Sequence, residues 1–437
     1  MDGPIKRGLG RMRTMFEPGA LGARERARIH EQLTDCAQGT GGEVSARNRA
    51  ARLGETYLRL GDAGRREFLR IIALEFGPDP QAVAAAHAAW QAALGTPAQW
   101  DTESELRSAM RSARTRILTQ FNALPSGVKF LVDLRADLLR FLEDSPELAA
   151  LDRELEARLT AWFDVGFLEL HRLTWNSPAS LLEKLIEYEA VHEISSWSDL
   201  KNRLDSDRRL YAFFHPRMPT EPLIFVEVAL TDHLADNVQV LLDERAPVFD
   251  VRRADTAIFY SISNTQAGLR GVSFGHFLLK RVIDDLKRDL PRLKTFATLS
   301  PLPQLAAWVK RNPDELAGIG DLAQLASGEW ARSRDEARRL RDPLMRLAAR
   351  YLTAAKKGAE PYDPVARFHL GNGARIERID ALADTSAKGF KQSFGLMVNY
   401  LYEPDAIEDN VEAFARDGTI AVTAAVRRLA RSETAAG

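Results

Sequence analysis

The chain has 437 residues, 45% hydrophobic and 28% charged, which suits ordinary globular cores and a length of about two domains. Lysine and arginine total 60 against 61 acidic residues, a net charge of −1, and this argues against a dedicated nucleic-acid surface. The single cysteine, Cys36, excludes an intramolecular disulfide and a multi-cysteine zinc site and fits a reducing compartment. No run of about 18 apolar residues offers a membrane span. The basic N-terminal stretch MDGPIKRGLGRMRTMFEPG has no apolar centre and reads as a solvated tail rather than a secretory signal. The C-terminal SETAAG carries no peroxisomal address, so the expected compartment is the cytoplasm.

Residues 20–163 read as helix after helix. Asp62 is placed to cap GRREFLRIIALEF, and Asp79-Pro80 sets a cap and a first-turn proline before QAVAAAHAAWQAAL. Thr102 with Glu105 has capping-box spacing. Leu124-Pro125-Ser126-Gly127 breaks the pattern, and Ser145-Pro146 opens another helix. His30 and His87 are isolated and read as structural. Residues 1–164 are therefore expected to form an all-α helical bundle whose leftover apolar faces suit oligomerisation.

Character changes after Asp164. Ser177-Pro178 opens a helix expected over 179–194. Strand-like runs follow at Leu210–Phe214, Leu223–Leu230 and Thr256–Ser263. LIFVEVAL is almost wholly apolar, as for a strand covered on both faces. Glu227 inside it reads as a paired or edge-facing carboxylate. Residues 312–357 return to helix. Strand character resumes at Ala374–Ile379 and Leu396–Tyr402, and a charged helical tail follows. Consecutive strands followed by strand–helix–strand suit an acyltransferase-type (GNAT) α/β domain, expected over 165–437, better than a doubly wound sheet. The fold class is thus α+β, a helical domain followed by a GNAT-like one.

The most informative stretch is 259–303. Strand Thr256–Ser263 runs into a turn with Gly268, Gly271 and Gly275. An amphipathic helix follows to about Leu290, with Leu279, Val282, Ile283, Leu286 and Leu290 as its buried stripe. A second strand, Thr295–Leu299, ends on Ser300-Pro301. A glycine turn feeding a helix N-terminus makes an anion cradle, because the backbone can come close and its free N–H groups point outward. Arg270 is the best-placed phosphate contact. Lys280 and Arg281 read as the solvated face of the helix.

Together with LTWNSPASLLEKLIEYEAVHEI (173–194), FHLGNGARI (368–376) and GLMVNYLY (395–402), this stretch resembles the malonyl-CoA decarboxylase family. The likeness is close over 165–405 and looser before it. It implies a GNAT fold, malonyl-CoA as substrate and a homo-oligomer, a tetramer, without metal or redox cofactor. It places CoA binding at Arg270, Gly271, Val272, Ser273, Phe274, Gly275 and His276. The usual GNAT pattern is not met there letter for letter, and some relatives have a glutamate where Ser273 stands, so no carboxylate role carries over. The resemblance makes Ser300 and His369 the catalytic pair, which also contact substrate, with Ser261 and Tyr402 as further polar residues of the pocket. Decarboxylation leaves an enolate that needs a proton near neutral pH, a task that suits histidine. Asn372, adjacent in sequence, is expected to orient His369.

Two other readings share the CoA cradle. One is an acyltransferase that moves an acyl group to an amine; the other is a non-catalytic acyl-CoA-binding protein. FHLGNGA and GLMVNYLY speak against the first, and the presence of both Ser300 and His369 speaks against the second. His215 is a candidate pocket residue. His192 and His233 read as surface or interface positions. No HExxH-type spacing supports a metal site.

Overall fold

The computed structural model describes residues 21–38, 43–272 and 278–431. The chain divides into two compact units. One takes the chain to Phe167 together with His215–Pro219 and Gln266–Ser273; the other takes the remainder, from Leu168 onward.

The first unit is helical. Its helices include Asp62–Glu75, Pro80–Ala93, Gln99–Ala109, Arg114–Asn122, Gly127–Phe141 and Ala149–Trp162. Leu53, Phe68, Ile72, Phe121, Leu131 and Leu155 are buried at its centre. Asp79 caps as its sequence suggests, accepting from Gln81 N–H with Pro80 in the first turn. Asp62 does not cap: Gly61 holds that position, and the Asp62 carboxylate pairs with Arg140. Thr102 lies inside its helix, which starts a turn earlier at Gln99, and its hydroxyl returns to the carbonyls of Ala98 and Gln99.

The segment from Gln266 to Val272 packs within this unit. Arg135, almost fully buried, donates to the carbonyls of Gly268 and Arg270 and pairs with Asp152. A Cβ on Gly268 would stand 1.8 Å from the Val132 carbonyl oxygen, so only glycine fits there. Gly271 has φ +87°, which again requires glycine.

The second unit is built on a mixed sheet. Its strands are β1 Glu169–Leu173, β2 Arg208–Phe214, β3 Ile224–Thr231, β4 Thr256–Asn264, β5 Thr295–Thr298 and β6 Ser300–Pro301. A separate two-stranded sheet contains β7 Lys356–Lys357 and β8 Glu360–Pro361. The main sheet is completed by β9 Arg375–Asp380 and β10 Met397–Tyr402. Its order is β1-β2-β3-β4-β5-β10-β6, with β9 also on β10. The neighbours are antiparallel except β4 and β5, which run parallel. A parallel pair needs a crossover. The chain between them contains the helix Leu278–Asp289, which buries Leu279, Val282, Ile283 and Leu286 and leaves Leu290 half-buried. Antiparallel strands leading into this one parallel pair give the GNAT-type arrangement that the element order predicts.

Every residue of β3 is buried, as its apolar run requires. Two apolar clusters flank the sheet, one with Leu182, Leu185 and Leu200, the other with Val238, Ile258 and Met397. The register of β3 on β4 slips between Glu227 and Val228, which pair with Ser261 and Phe259. Tyr260 is thus the extra residue of a bulge, a device that re-aims neighbouring side chains. The helix expected over 179–194 stops at Tyr188. From Glu189 the chain is irregular, for a reason that lies in the site below.

Candidate active site

Thr298, at the end of β5, and Ser300, in β6, are two residues apart on an extended chain, so their side chains share a face. Ser300 Oγ donates to Thr298 Oγ1 at 2.8 Å. Thr298 Oγ1 also accepts from Tyr400 N–H at 3.1 Å, which ties it to β10. His369 comes from the helix Pro364–Gly371, not from the polar loop that its glycine-rich surroundings suggest. Asp363 caps that helix through the N–H groups of Val365 and Ala366, and Pro364 occupies its first turn. Tyr351, on the long helix Arg334–Ala354, donates to the same Asp363.

His369 Nε2 lies 3.1 Å from Ser300 Oγ, and its Nδ1 lies 2.7 Å from Tyr402 Oη. The ring stacks on Tyr400 with centroids 4.5 Å apart. Among the described residues, Nδ1 is the only hydrogen-bond partner of the buried Tyr402 hydroxyl, so the phenol hydrogen donates to it. The imidazole hydrogen then sits on Nε2 and donates to Ser300, whose own hydrogen goes to Thr298. The result is a one-way chain, Tyr402 to His369 to Ser300 to Thr298.

Burial pushes the His369 imidazole down to about 3 and the Tyr402 phenol well above its ordinary range. The C-terminal end of a helix favours a histidine cation by at most about 2 kcal/mol. A shift of that size in pKa is worth more, so desolvation wins and the ring is neutral.

The pocket beside this chain has a volume of about 240 Å³. Ser300, Pro301 and His369 meet Phe368 from the helix, Ser261 from β4, and Val191. Whole drug-sized ligands take roughly 300–1,000 Å³, so this space suits a small acyl head.

Of the residues singled out in the sequence, Ser300, His369 and Tyr402 are joined directly, and Ser261 lines the same pocket. Asn372 does not hold the imidazole, because its amide donates to the Phe368 carbonyl. His215 is elsewhere: it bonds the Trp162 carbonyl and accepts from Arg217 N–H in the helical unit. Arg270 is exposed and Gly271 and Val272 follow it in that unit. Ser273, Phe274, Gly275 and His276 lie outside the described residues. Lys280 pairs with Glu408, while Arg281 donates to the Leu168 carbonyl.

Three contributors were not read from the sequence. Thr298 and Tyr400 look like ordinary strand residues. Glu189 looks like the middle of a helix. The Asp363-Pro364 pair, identical in kind to Asp79-Pro80, was the signal that would have put His369 on a helix.

Glu227 is fully buried and ion-paired to Arg203 at 3.1 Å, as its position in an apolar strand suggests. His192, expected at a surface or interface position, is partly exposed, and its Nε2 is sealed from solvent. Among the described residues, no group of three or more His, Cys, Asp or Glu could hold a metal ion, and no helix is long and apolar enough to cross a membrane.

A family model described as the malonyl-CoA decarboxylase C-terminal domain matches residues 166–436, and one described as its N-terminal domain matches 76–163. The protein named "Malonyl-CoA decarboxylase, mitochondrial" from Rattus norvegicus is 40% identical over 331 residues, 69% of this chain and 67% of that one. Its counterpart from Mus musculus is 38% identical over 382 residues, 79% of this chain and 78% of that one. The crystal structure of malonyl-CoA decarboxylase from Rhodopseudomonas palustris is 41% identical, with a TM-score of 0.86 over 93% of this chain and 100% of that one. With matches across both halves of the sequence, the chain belongs to the malonyl-CoA decarboxylase family.

Proposed function

We propose that the pocket binds the acyl end of malonyl-CoA and converts it to acetyl-CoA and CO2, with His369 and Ser300 delivering the proton. The bond between the carboxylate and the methylene carbon breaks, CO2 leaves, and the electron pair moves onto the thioester carbonyl as an enolate. That carbonyl is the electron sink, so the chemistry calls for no metal or redox cofactor. The enolate carbon takes the Ser300 hydroxyl proton. Ser300 takes the Nε2 hydrogen of His369, which carries a second proton while the malonyl carboxylate is bound beside it, and the ring returns to its neutral form. One proton is consumed, and solvent restores it to His369 after product leaves. A malonyl carboxylate beside the imidazole favours its protonated form and opposes the effect of burial. Tyr402 holds the tautomer that keeps the hydrogen on Nε2, and Ser261 lines the β4 wall.

The observation that supports this reading most is the continuous chain of contacts from Tyr402 through His369 and Ser300 to Thr298, whose direction follows from the single partner of the Tyr402 hydroxyl among the described residues. A base that activated Ser300 as a nucleophile would need a free lone pair on Nε2. Here the hydrogen points at Ser300, which suits protonation of carbon and not acyl transfer. Turnover of malonyl-CoA with a metal chelator and no acceptor tests it. Equal amounts of acetyl-CoA and CO2 are expected. Acyl transfer to an added amine without CO2 would replace this reading with the acyltransferase one.

From the resemblance, residues Arg270 to His276 are assigned to the CoA phosphates. Arg270→Ala is expected to raise KM several-fold with kcat little changed, because a contact remote from the reacting bond is mostly uniform binding. A loss confined to kcat would remove that assignment. We further propose a homo-oligomer, a tetramer, in the cytoplasm. Helix Pro80–Ala93 buries only Ala93, and nearby Leu94, Trp100 and Met110 are exposed, an apolar surface that suits self-association. Light scattering that reads a monomer at all concentrations would exclude it. A fluorescent fusion checks the compartment, since the named relatives are mitochondrial.

A further inference from the structure

Glu189 ends the helix Ala179–Tyr188 and is nearly buried. One of its oxygens accepts from the N–H groups of Val191 and His192, at 2.8 and 2.7 Å. Ser261 Oγ donates to both oxygens, at 2.8 and 2.9 Å, and Ser263 Oγ donates at 3.1 Å. Two oxygens accepting from four groups, with nothing to donate to, is the coordination of an anion. These bonds are why the helix stops at Tyr188, since Glu189 must turn inward to make them. Lys388 then fixes the following turn by donating to the carbonyls of Ala190 and Val191.

The consequence falls on the pocket, which Ser261 and Val191 both line. The hydroxyl hydrogen of Ser261 is committed to Glu189. Ser261 therefore shows the pocket only lone pairs, backed by a negative charge. At the Ser300 side, by contrast, the His369 hydrogen points toward the serine. The Ser300 wall is neutral and its hydroxyl hydrogen is held only by the Thr298 hydroxyl, a weak bond that an anion can replace, whereas the Ser261 hydrogen is held by a carboxylate whose fixed negative charge backs that wall. A carboxylate is drawn to the first and repelled by the second, and an unfavourable like-charge approach is an effective way to exclude a wrong binding mode.

We propose that Glu189, acting through Ser261, is a positioning residue that sets acyl orientation, directing the substrate carboxylate to Ser300 and His369 by excluding it from the β4 wall. This rests on the decarboxylase reading above. It adds a specificity-determining role to a residue outside the proton-delivery chain.

The test uses the full-length protein. In Glu189→Gln the neutral amide still accepts from the backbone but no longer repels a carboxylate, and it leaves Ser261 free to donate into the pocket. Expected is a fall in kcat of about 10–100-fold with KM for malonyl-CoA unchanged or lower, the pattern of a new unproductive binding mode. Inhibition constants supply a readout that loss of packing would not move selectively. Succinyl-CoA, which carries a carboxylate but no β-keto-type acid, should bind about tenfold more tightly to Glu189→Gln. Acetyl-CoA, which carries none, should bind as before. Glu189→Asp keeps the charge and should keep the wild-type ratio of the two constants, even where the shorter side chain lowers turnover. If both constants move together in Glu189→Gln, or its kcat matches wild type, the proposal is overturned. A Glu189→Gln protein that does not fold leaves the decision to Glu189→Asp, in which a lost ratio overturns it and a kept ratio upholds it. Absence of CO2 release from the wild-type protein would instead remove the decarboxylase reading itself.

Discussion

The chain of hydrogen bonds from Tyr402 through His369 and Ser300 to Thr298 and the ion cluster of Asp199, Arg203 and Glu227 are both buried in the second unit. They differ in charge and in access. The first contains only neutral groups and borders a pocket. The second is ionic: Arg203 pairs with Asp199 at 2.8 Å and Glu227 at 3.1 Å, and it also donates to the carbonyls of His192 and Glu193. Burial pushes the Glu227 carboxyl up to about 7 against the pull of Arg203. Neutral links joined in one direction can pass a hydrogen along with little reorganisation. Buried opposite charges hold each other in place, and moving a hydrogen between them would break an ion pair. The comparison assigns proton movement to the first network and fixation of the fold to the second.

Removing the functional ends should give the largest effect. His369→Ala and Ser300→Ala are each expected to lower kcat by about 10²–10⁴-fold, the range for a lost proton donor, with Tm little changed. Wild-type turnover in either would dissolve the distinction between the networks. The opposite profile is expected for Arg203→Met, which strands two buried carboxylates. Chemical denaturation should show a loss of about 3–5 kcal/mol, while the folded fraction keeps its activity per molecule. An Arg203→Met protein of full stability and poor kcat would reverse the two roles.

Tyr402→Phe sharpens the reading within the first network. Without the phenol, the imidazole is free to carry its hydrogen on Nδ1, and kcat should fall about 10–100-fold, less than for His369→Ala. Nitrogen NMR of the His369 ring would show the change of tautomer directly.

The smallest effect concerns His192, beside the ionic cluster. Burial pushes its imidazole from 6.5 down to about 4, partly offset by Asp384. Between those values the unfolded chain binds a proton that the folded protein refuses, so the stabilising contribution is present above pH 6.5 and is lost as pH falls toward about 4. Glu227, raised by burial, acts with the opposite sign, losing its contribution as pH rises through about 7. Urea midpoints of wild type and His192→Asn isolate the histidine: their difference should shift in favour of the variant as pH falls through that window. A difference independent of pH would place His192 in contact with solvent.

Much of the architecture was legible in local signals. The apolar run of β3 announced a strand covered on both faces, because no other environment accepts it. Asp79-Pro80 announced a helix start, because a cap and a residue without an N–H fit there. Asp62 and Thr102 failed as caps, since the same residue types satisfy a salt bridge or a carbonyl inside a helix equally well. The glycines after β4 read as a phosphate cradle. Gly268 proves to be needed for its contact with Val132, a requirement set by a helix more than 100 residues earlier.

For the site, the sequence by itself determined the ingredients: Ser300 at a strand end, His369 and Tyr402 in motifs shared with a known family, and Ser261 on a strand. Only the tertiary structure decided that they meet. Ser300 and His369 are 69 residues apart, and His369 and Tyr402 are 33 apart. Their contact depends on the packing of the Pro364–Gly371 helix against strands from two parts of the sheet. The same holds for Glu189, which helix periodicity places in mid-helix. Two local N–H groups and two serine hydroxyls brought by the fold outweigh the helical hydrogen bonds it gives up, and no local pattern records donors that arrive from 72 and 74 residues away.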